Sequence, residues 1–234
     1  IEANPDDVTA ELVRSWRDLS ISRASLGVQS FSDDALRYLG RRHDAEVARR
    51  ACTSVGGTFD NWNMDLILGS HPVSSWAPTL RECLRFAPKH VSVYSLTYEP
   101  GTPFGPRAAE GIHDDVALEL YRLAEELLAD YGHYEISNYA FAGYSCAHNL
   151  IYWRNEEYAG FGPGAYSFLD GVRSRNSCDL KAYLENPEMR DERIELTERE
   201  IRIETLIQHL RLADGLPKID YRRRFGCDVR EEFG

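Results

Sequence analysis

The chain alternates short apolar or β-branched runs with amphipathic segments from its start to about residue 137. Short apolar runs predict buried strands, and apolar residues spaced three and four positions apart predict helices. The predicted strands lie at 1–2, 23–28, 61–68, 91–96 and 133–137, and the predicted helices at 9–19, 32–40, 44–57, 74–86 and 114–128. This alternation is typical of an α/β protein with a parallel sheet.

The pattern changes after residue 138. The stretch 139–168 is rich in aromatic residues and glycine and has no clear period, so it predicts a long loop of the kind that carries function. A polar, proline-containing stretch at 186–192 predicts a linker, and Thr197 with Glu200 fits a capping box that opens a charged helix to about residue 212. We therefore expect one domain over 1–185 and a second that begins at 186 and runs to 234.

Composition narrows the class of protein. The chain has 234 residues with 43% hydrophobic and 28% charged residues, which is typical of a globular protein. Its formal net charge of −11 disfavours nucleic acid and anionic membranes as partners, and the run 222–224 of three arginines is too short to reverse that. No apolar run approaches the roughly 18 residues of a membrane span.

The cysteines indicate the cellular compartment of the protein, and the first residue indicates whether the sequence is a fragment. The five cysteines are an odd number and lie far apart, unlike a disulfide framework or a Cys-x2-Cys metal site; they are Cys52, Cys83, Cys146, Cys178 and Cys227. We therefore expect reduced thiols and a cytoplasmic protein. Because the chain begins at Ile1 without methionine, in what resembles the end of a strand, we also expect a fragment.

Polar residues follow the predicted strands at their carboxyl ends. Glu2, Gln29, Asp65 and Thr97 each lie at such an end. In parallel α/β folds the reacting and ligand-binding groups lie at that edge of the sheet. Each residue alone is also a common turn former or helix cap, but four in succession favour a site for a polar ligand.

Six blocks of the sequence, in order, resemble one family. They are Ser-Leu-Gly-Val-Gln-Ser-Phe (25 to 31), Leu-Gly-Arg-Arg-His (39 to 43), Asn-Met-Asp-Leu-Ile (63 to 67), Tyr-Ser-Leu-Thr-Tyr-Glu-Pro-Gly-Thr-Pro (94 to 103), Tyr-Glu-Ile-Ser-Asn-Tyr-Ala (134 to 140) and His-Asn-Leu-Ile-Tyr-Trp (148 to 153). Together they resemble the radical S-adenosylmethionine family of oxygen-independent coproporphyrinogen III oxidases and their HemW-type haem-chaperone relatives. The resemblance implies a partial TIM-like (β/α)6 barrel with only the later strands, followed by the start of a mostly helical C-terminal domain.

Two features resemble the HemW-type branch more than the oxidases. Ser30 follows Gln29 where oxidases typically have aspartate, and the block that contains His148, Tyr152 and Trp153 is present. The resemblance implies a protein that binds haem and passes it to acceptor haemoproteins. It also implies S-adenosylmethionine and a four-iron four-sulfur cluster as cofactors.

The resemblance also implies which residues contact S-adenosylmethionine. They are Glu2, Gln29, Arg41 and Asp65, with Thr97 and Tyr166 at two weaker positions. Carboxylates can hold the amino group or the ribose hydroxyls, and the guanidinium of Arg41 can bind the methionine carboxylate with two parallel hydrogen bonds. A surface ion pair for Arg41 and a helix cap for Asp65 are the structural alternatives.

The block at 148–153 holds the candidate haem residues, which are His148, Asn149, Tyr152 and Trp153. Imidazole is a common axial ligand of haem iron, so His148 is the candidate ligand. Tyr152 and Trp153 offer flat apolar area to a porphyrin. A packed, hydrogen-bonded histidine among aromatic residues is the alternative interpretation.

The sequence departs from the family most clearly in its cysteines. No Cys-x3-Cys-x2-Cys triplet, which holds the family's cluster, is present. The loop 69–74 after Asp65 is about two residues shorter than is usual in the family, and Tyr166 stands where the family often has histidine. Two alternatives therefore stay open beside the chaperone, namely an oxygen-independent coproporphyrinogen III oxidase acting on porphyrinogen and a non-catalytic binding module without the cluster.

Overall fold

The computed structural model describes residues 1–233, which form two compact units. The first unit, Ile1–Ser145, contains a six-stranded sheet with the strand order β1-β2-β3-β4-β6-β5. Its strands are β1 Glu2–Ala3, β2 Ala24–Gln29, β3 Trp62–Leu68, β4 His90–Ser95, β5 Gly132–Glu135 and β6 Asn138–Ala140. Its helices are α1 Ala10–Asp18, α2 Asp33–Tyr38, α3 Ala45–Gly56, α4 Trp76–Phe86 and α5 Asp114–Leu127.

The first four strands are parallel, as the βα alternation predicted. Glu2 lies opposite Ser25 on β2, and Asn63 on β3 lies opposite His90 on β4. Ser32 and Asp44 cap α2 and α3 with their side chains.

The strands bury one face against the helices. On β3, Met64, Leu66 and Leu68 are fully buried, and the neighbouring strands add further apolar side chains to the same layer. Helix residues such as Val55 and Leu80 close this core from the other side. Burying each such side chain contributes about 1.5–3 kcal/mol, so this layer supplies most of the stability of the unit.

The end of the sheet differs from the expectation. The stretch 133–137 was predicted as one more strand after which regular structure stops, but the chain turns back at Ile136 and Ser137 to form β6. β6 lies between β4 and β5 and is antiparallel to both. A two-residue hairpin turn that contains an isoleucine does not interrupt the apolar pattern, which is why the pattern alone missed it.

The second unit begins at Cys146 and combines a small sheet with helices. Its strands β7 Tyr166–Leu169, β8 Val172–Asn176 and β9 Arg190–Glu195 form an antiparallel sheet in that order. Its helices are α6 Ala147–Trp153, α7 Leu180–Glu185, α8 Glu198–His209, α9 Lys218–Phe225 and α10 Val229–Phe233. The expected helices after Thr197 are therefore present.

Two predictions for this part of the chain are corrected by the structure. The stretch 139–168 is not one loop, since it includes part of β6, all of α6 and the start of β7. The predicted linker at 186–192 is a strand from Arg190 onwards, paired with β8. Its alternating charged residues are exposed on an edge strand, so they lack the apolar signal of a strand. The division into domains at 185 and 186 stays a prediction.

The capping box at Thr197 is confirmed and gives a first testable prediction. Thr197 Oγ1 accepts from Glu200 N at 3.3 Å, and Glu200 Oε2 accepts from Thr197 N at 2.7 Å. Thr197→Ala should lower the free energy of unfolding by about 0.5–2 kcal/mol, because α8 loses the acceptor for one of its terminal N–H groups. Thr197→Ser keeps that acceptor and should match wild type in denaturant unfolding; equal midpoints for both variants would contradict the cap.

Among residues 1–233, no helix is both long and apolar enough to cross a lipid bilayer.

Candidate functional site

The strands of the first unit present a polar face opposite the helices. Ser25 on β2, Asn63 and Asp65 on β3, and His90 and Ser92 on β4 alternate with the apolar residues that enter the core. Since successive side chains of a strand point to opposite faces, this alternation puts all five on one side of the sheet. We call these five residues the polar face.

Asp65 is at the centre of a hydrogen-bond network on the polar face. Asn63 Nδ2 donates to Asp65 Oδ1 at 2.7 Å and to Ser25 Oγ at 2.6 Å. Ser25 Oγ in turn donates to Asp65 Oδ2 at 3.2 Å. Both carboxylate oxygens therefore accept hydrogen bonds, Oδ1 from Asn63 on the same strand and Oδ2 from Ser25 on β2, which fixes the orientation of Asp65.

The network continues across β4 to the hairpin. His90 Nδ1 lies 2.5 Å from Asn63 Oδ1, and His90 Nε2 lies 2.8 Å from the Tyr134 hydroxyl. His90 is 1% exposed, and this burial lowers the pKa of its imidazole to about 3, with the positive charge of Arg23 acting in the same direction. The imidazole is therefore neutral at physiological pH.

Burial acts on Asp65 in the opposite sense. Burial raises the pKa of the Asp65 carboxyl, and the negative charge of Glu2 raises this pKa further. Hydrogen bonds from Ser92, Asn63 and Ser25 act against both by lowering the pKa. The net direction is upward. A carboxylate held in this way is costly to ionise without a positively charged or hydrogen-bonding ligand, which is a common property of binding sites.

The carboxyl end of β2 adds a second part of the site. Gln29 is buried and has a φ of 66°, a left-handed conformation that is rare for a residue other than glycine. Such strain persists only where surrounding structure enforces it, and it is concentrated at functional sites. The side chain of Gln29 passes over Gly27, since a methyl group at Gly27 would lie 2.9 Å from Gln29 Nε2.

Arg41 reaches the same region through Asn4. Arg41 Nη1 donates to Asn4 Oδ1 at 3.5 Å, and that oxygen would lie 3.5 Å from a methyl group at Gly27. Gly27 therefore lets the side chains of Gln29 and Asn4 pass close to the backbone of β2. Arg41 is half-buried beside Asn4, so a surface ion pair is not its main contact.

The structure thus brings together four of the six residues predicted to contact S-adenosylmethionine. Glu2 is near enough to Asp65 for its negative charge to raise the Asp65 pKa, and Gln29 and Arg41 lie near Gly27 and Asn4. Thr97 is exposed after β4 and donates to Ser95 O at 3.4 Å. Tyr166 lies in the second unit, where its hydroxyl donates to Glu192 Oε2 at 3.4 Å.

The candidate haem residues lie on α6 in the second unit. His148 and Tyr152 are four residues apart on one helix face, and Tyr152 Oη lies 3.1 Å from His148 Nε2. The imidazole of His148 is exposed, unlike the packed histidine of the alternative interpretation. The ring of Tyr152 makes an edge contact with that of Tyr158 at 4.6 Å between centroids.

The other two residues of that block are less accessible. Asn149 is half-buried. Trp153 is half-buried and packs under the guanidinium of Arg211, 5.3 Å from the ring centroid. Among residues 1–233, Trp153 Nε1 is buried without a hydrogen-bond partner. Trp153 therefore contributes to packing, whereas the side chains of His148 and Tyr152 are the exposed polar groups on α6.

A cavity of about 230 Å³ lies beside Tyr152 within the second unit. Tyr158, Phe168 and an ion pair between Arg173 and Glu204, with N···O distances of 3.1 and 2.7 Å, line it. Sites for small molecules usually occupy about 300–1,000 Å³, and the charge of Arg173 is already neutralised. This cavity is therefore smaller than a typical small-molecule site and offers no free charge.

Asp65 of the polar face and Arg41 offer groups that fit S-adenosylmethionine. Asp65 is an oriented carboxylate, Arg41 supplies a guanidinium, and a side chain in place of Gly27 would crowd Gln29. These groups match the hydroxyls, ammonium and carboxylate of that cofactor.

The residues present do not fit a four-iron cluster. Cys52 and Cys83 are buried, and burial raises the pKa of the Cys52 thiol to about 12, so it is a poor ligand. Across the described residues, no group of three or more His, Cys, Asp or Glu side chains could hold a metal ion.

Four residues of the polar face were not predicted as site residues from the sequence, namely Ser25, Asn63, His90 and Ser92. Ser25, Asn63 and Ser92 lay within predicted apolar strands, and His90 came directly before one. The period-two alternation of His-Val-Ser-Val-Tyr-Ser (90 to 95) was the available signal, because a strand buried on both sides by apolar layers has no reason to alternate.

Several known proteins are similar to this chain in sequence. No family model matches the sequence. The chain is 33% identical over 232 residues to the heme chaperone HemW of Escherichia coli, covering 94% of this chain and 61% of the relative. It is 33% identical over 242 residues to the heme chaperone HemW of Bacillus subtilis, covering 97% of this chain and 63% of the relative. The chain therefore spans less than two thirds of the length of these relatives.

A mitochondrial relative and a solved structure extend the comparison. The radical S-adenosyl methionine domain-containing protein 1 of Mus musculus is 34% identical over 175 residues, covering 71% of this chain and 40% of the relative. The structure of the coproporphyrinogen III oxidase HemN from Escherichia coli, described as a radical SAM enzyme, superposes with a TM-score of 0.82 at 19% identity. It covers 100% of this chain and 59% of that chain, and at this identity it shows a shared fold.

Proposed function

This chain belongs to the radical S-adenosylmethionine family of HemN- and HemW-type proteins, and from that membership we propose that it binds haem and passes it to acceptor haemoproteins. The observation that carries the proposal is the similarity to proteins named heme chaperone HemW over 94% and 97% of the chain. The exposed imidazole of His148 on α6 supplies a ligand of the right chemistry.

His148 is the proposed haem ligand, and Tyr152 is its neighbour in the same site. The Tyr152 hydroxyl occupies the Nε2 side of His148, so ligation through that nitrogen requires the hydroxyl to move away. Tyr152 is 37% exposed, which leaves its ring room to turn and to stack on a porphyrin. Asn149 and Trp153 would border the site without ligating iron.

We also propose that S-adenosylmethionine binds at the polar face. Asp65 and Glu2 would accept hydrogen bonds from its hydroxyls or ammonium group, and Arg41 would bind its carboxylate. Gln29, whose side chain lies close to Gly27, would hold the backbone of β2 at this site. Thr97 and Tyr166 remain weaker candidates. When bound beside a reduced four-iron cluster, this cofactor supplies a deoxyadenosyl radical; the described residues of this chain hold no such cluster.

Oxidation of coproporphyrinogen is the competing activity. The structural neighbour that carries it in its name shares 19% identity, which supports a common fold and not a common reaction. The serine at position 30 and the block at 148–153 favour the chaperone. Turnover of coproporphyrinogen by the full-length protein would contradict this preference.

We propose that the protein acts in the cytoplasm. Among the described residues the five cysteines form no disulfide bond, and thiols stay reduced in that compartment.

The test of the haem proposal is a titration of the full-length protein with haem, followed by the Soret band. His148→Ala should shift the band and weaken binding at least about tenfold, because the axial nitrogen is lost. His113 is exposed in the first unit and serves as the matched control, since His113→Ala removes an imidazole away from α6. If both variants titrate like wild type, His148 is not the ligand.

A further inference from the structure

We propose that His90 is a positioning residue that holds the Asn63 amide with its NH2 group towards Asp65, so that the Asp65 carboxylate is oriented to accept from S-adenosylmethionine. This inference rests on the proposed cofactor site at the polar face. His90 belongs to that face but is 1% exposed, so it does not itself contact the ligand.

The orientation of Asn63 follows from its neighbours. One end of its amide faces Asp65 Oδ1 at 2.7 Å, and the other faces His90 Nδ1 at 2.5 Å. An ionised carboxylate only accepts hydrogen bonds, so the end that faces Asp65 must be the NH2 group. The amide oxygen therefore faces His90.

The tautomer of His90 follows from the orientation of Asn63. An amide oxygen cannot donate, so His90 Nδ1 must carry the proton and donate it to Asn63 Oδ1. The imidazole is neutral, and its Nε2 is then an acceptor for the Tyr134 hydroxyl at 2.8 Å. Every donor from Tyr134 through His90 and Asn63 therefore points towards Asp65.

The reversed arrangement is disfavoured by the same atoms. If His90 carried its proton on Nε2, its Nδ1 would require the Asn63 NH2 group, and the amide oxygen would turn towards Asp65 Oδ1. Two acceptors would then lie 2.7 Å apart in a buried place, and Asp65 would lose a donor. Only a protonated Asp65 would tolerate this, and a protonated carboxyl binds an ammonium group poorly.

The depressed pKa of His90, about 3, agrees with this role. A histidine that gained a proton near neutral pH would present two donors and repel the Tyr134 proton. Since His90 stays neutral, its single Nδ1 proton specifies the amide orientation throughout the physiological range.

Two nearly isosteric substitutions separate the hydrogen bond from the shape of the side chain. In His90→Asn the amide nitrogen can take the place of Nδ1 and donate to Asn63, whereas in His90→Leu no donor remains. His209→Leu is the matched control, because His209 is 7% exposed and its Nδ1 donates to the backbone carbonyl of Thr205 in the second unit.

Binding of S-adenosylmethionine to the full-length proteins is measured by isothermal titration calorimetry. His90→Leu should weaken binding about tenfold or more, His90→Asn should stay within about threefold of wild type, and His209→Leu should bind as wild type does. Equal affinity of His90→Leu and wild type would overturn the positioning role. No binding by wild type would overturn the cofactor site and the role that rests on it.

A second measurement tests the geometry without any ligand and without a variant. Nitrogen-15 NMR of histidine-labelled wild-type protein distinguishes the two neutral tautomers of His90. A proton on Nδ1 is expected near neutral pH, and a proton on Nε2 would overturn the proposal. This result holds even if His90→Leu fails to fold, and it separates failure of the hydrogen-bond orientation from failure of the cofactor site.

Discussion

Asp65→Asn is expected to weaken binding of S-adenosylmethionine by about 10- to 100-fold while leaving the folded protein at least as stable as wild type. The loss of affinity follows because a hydrogen bond to a charged group contributes about 1.5–3 kcal/mol, and asparagine has no charge. The gain or neutrality in stability follows because burial raises the pKa of Asp65, so its ionised form is costly in the folded state.

The pH dependence of this effect has a definite sign. The folded protein binds a proton at Asp65 more tightly than the unfolded chain does, so the stability contribution of this group rises as the pH falls through its raised pKa. Any stability advantage of Asp65→Asn should therefore be present at neutral pH and shrink in acid. Denaturant unfolding of wild type and Asp65→Asn between neutral and acidic pH measures this difference in stability.

The control for Asp65→Asn is Asp130→Asn, which makes the same chemical change at an exposed position in the turn after α5. It should change neither affinity nor stability beyond about 0.5 kcal/mol. An Asp65→Asn protein that binds S-adenosylmethionine as tightly as wild type does would remove Asp65 from the site. A strongly destabilised Asp65→Asn protein would mean that the carboxylate is structural.

Leu66→Ala is expected to lower the free energy of unfolding by about 2–5 kcal/mol, the largest stability effect that we predict. Leu66 follows Asp65 on β3 but points to the opposite face, where it is 0% exposed in the core between the sheet and the helices. Truncation removes buried apolar area and leaves a cavity that the close-packed surroundings fill only partly.

Chemical denaturation of the full-length protein measures this loss. Leu118→Ala is the matched control, because Leu118 on α5 is 49% exposed and the same truncation there should cost no more than about 0.5 kcal/mol. At temperatures where Leu66→Ala stays folded, its affinity for S-adenosylmethionine should be close to that of wild type. Similar stability losses for Leu66→Ala and Leu118→Ala would contradict the described core.

Neighbouring residues of β3 thus have different roles. Leu66 stabilises the fold and Asp65 serves the candidate site, and a single step along the strand separates the two roles because the side-chain period of a strand is two. The same division holds on β4, where Val91 and Val93 enter the core and His90 and Ser92 join the polar face.

The amino-acid sequence alone determined the order of strands and helices in the first unit, since hydrophobic period and capping residues are local signals. It also indicated the family through six ordered blocks. It placed Gln29 correctly at the end of β2, whereas Asp65, predicted at a strand end, lies in the middle of β3. These inferences need no knowledge of which distant residues meet.

Only the tertiary structure decided which of these residues act together. The bond between Asn63 and His90 joins positions 27 residues apart, and it depends on the register in which β3 and β4 pair. The reversal of the chain at 136–137 and the sheet formed by β7, β8 and β9 also depend on long-range pairing and leave weak local signals. Backbone pairing and burial, and not the local pattern, turned a row of polar residues into an oriented site.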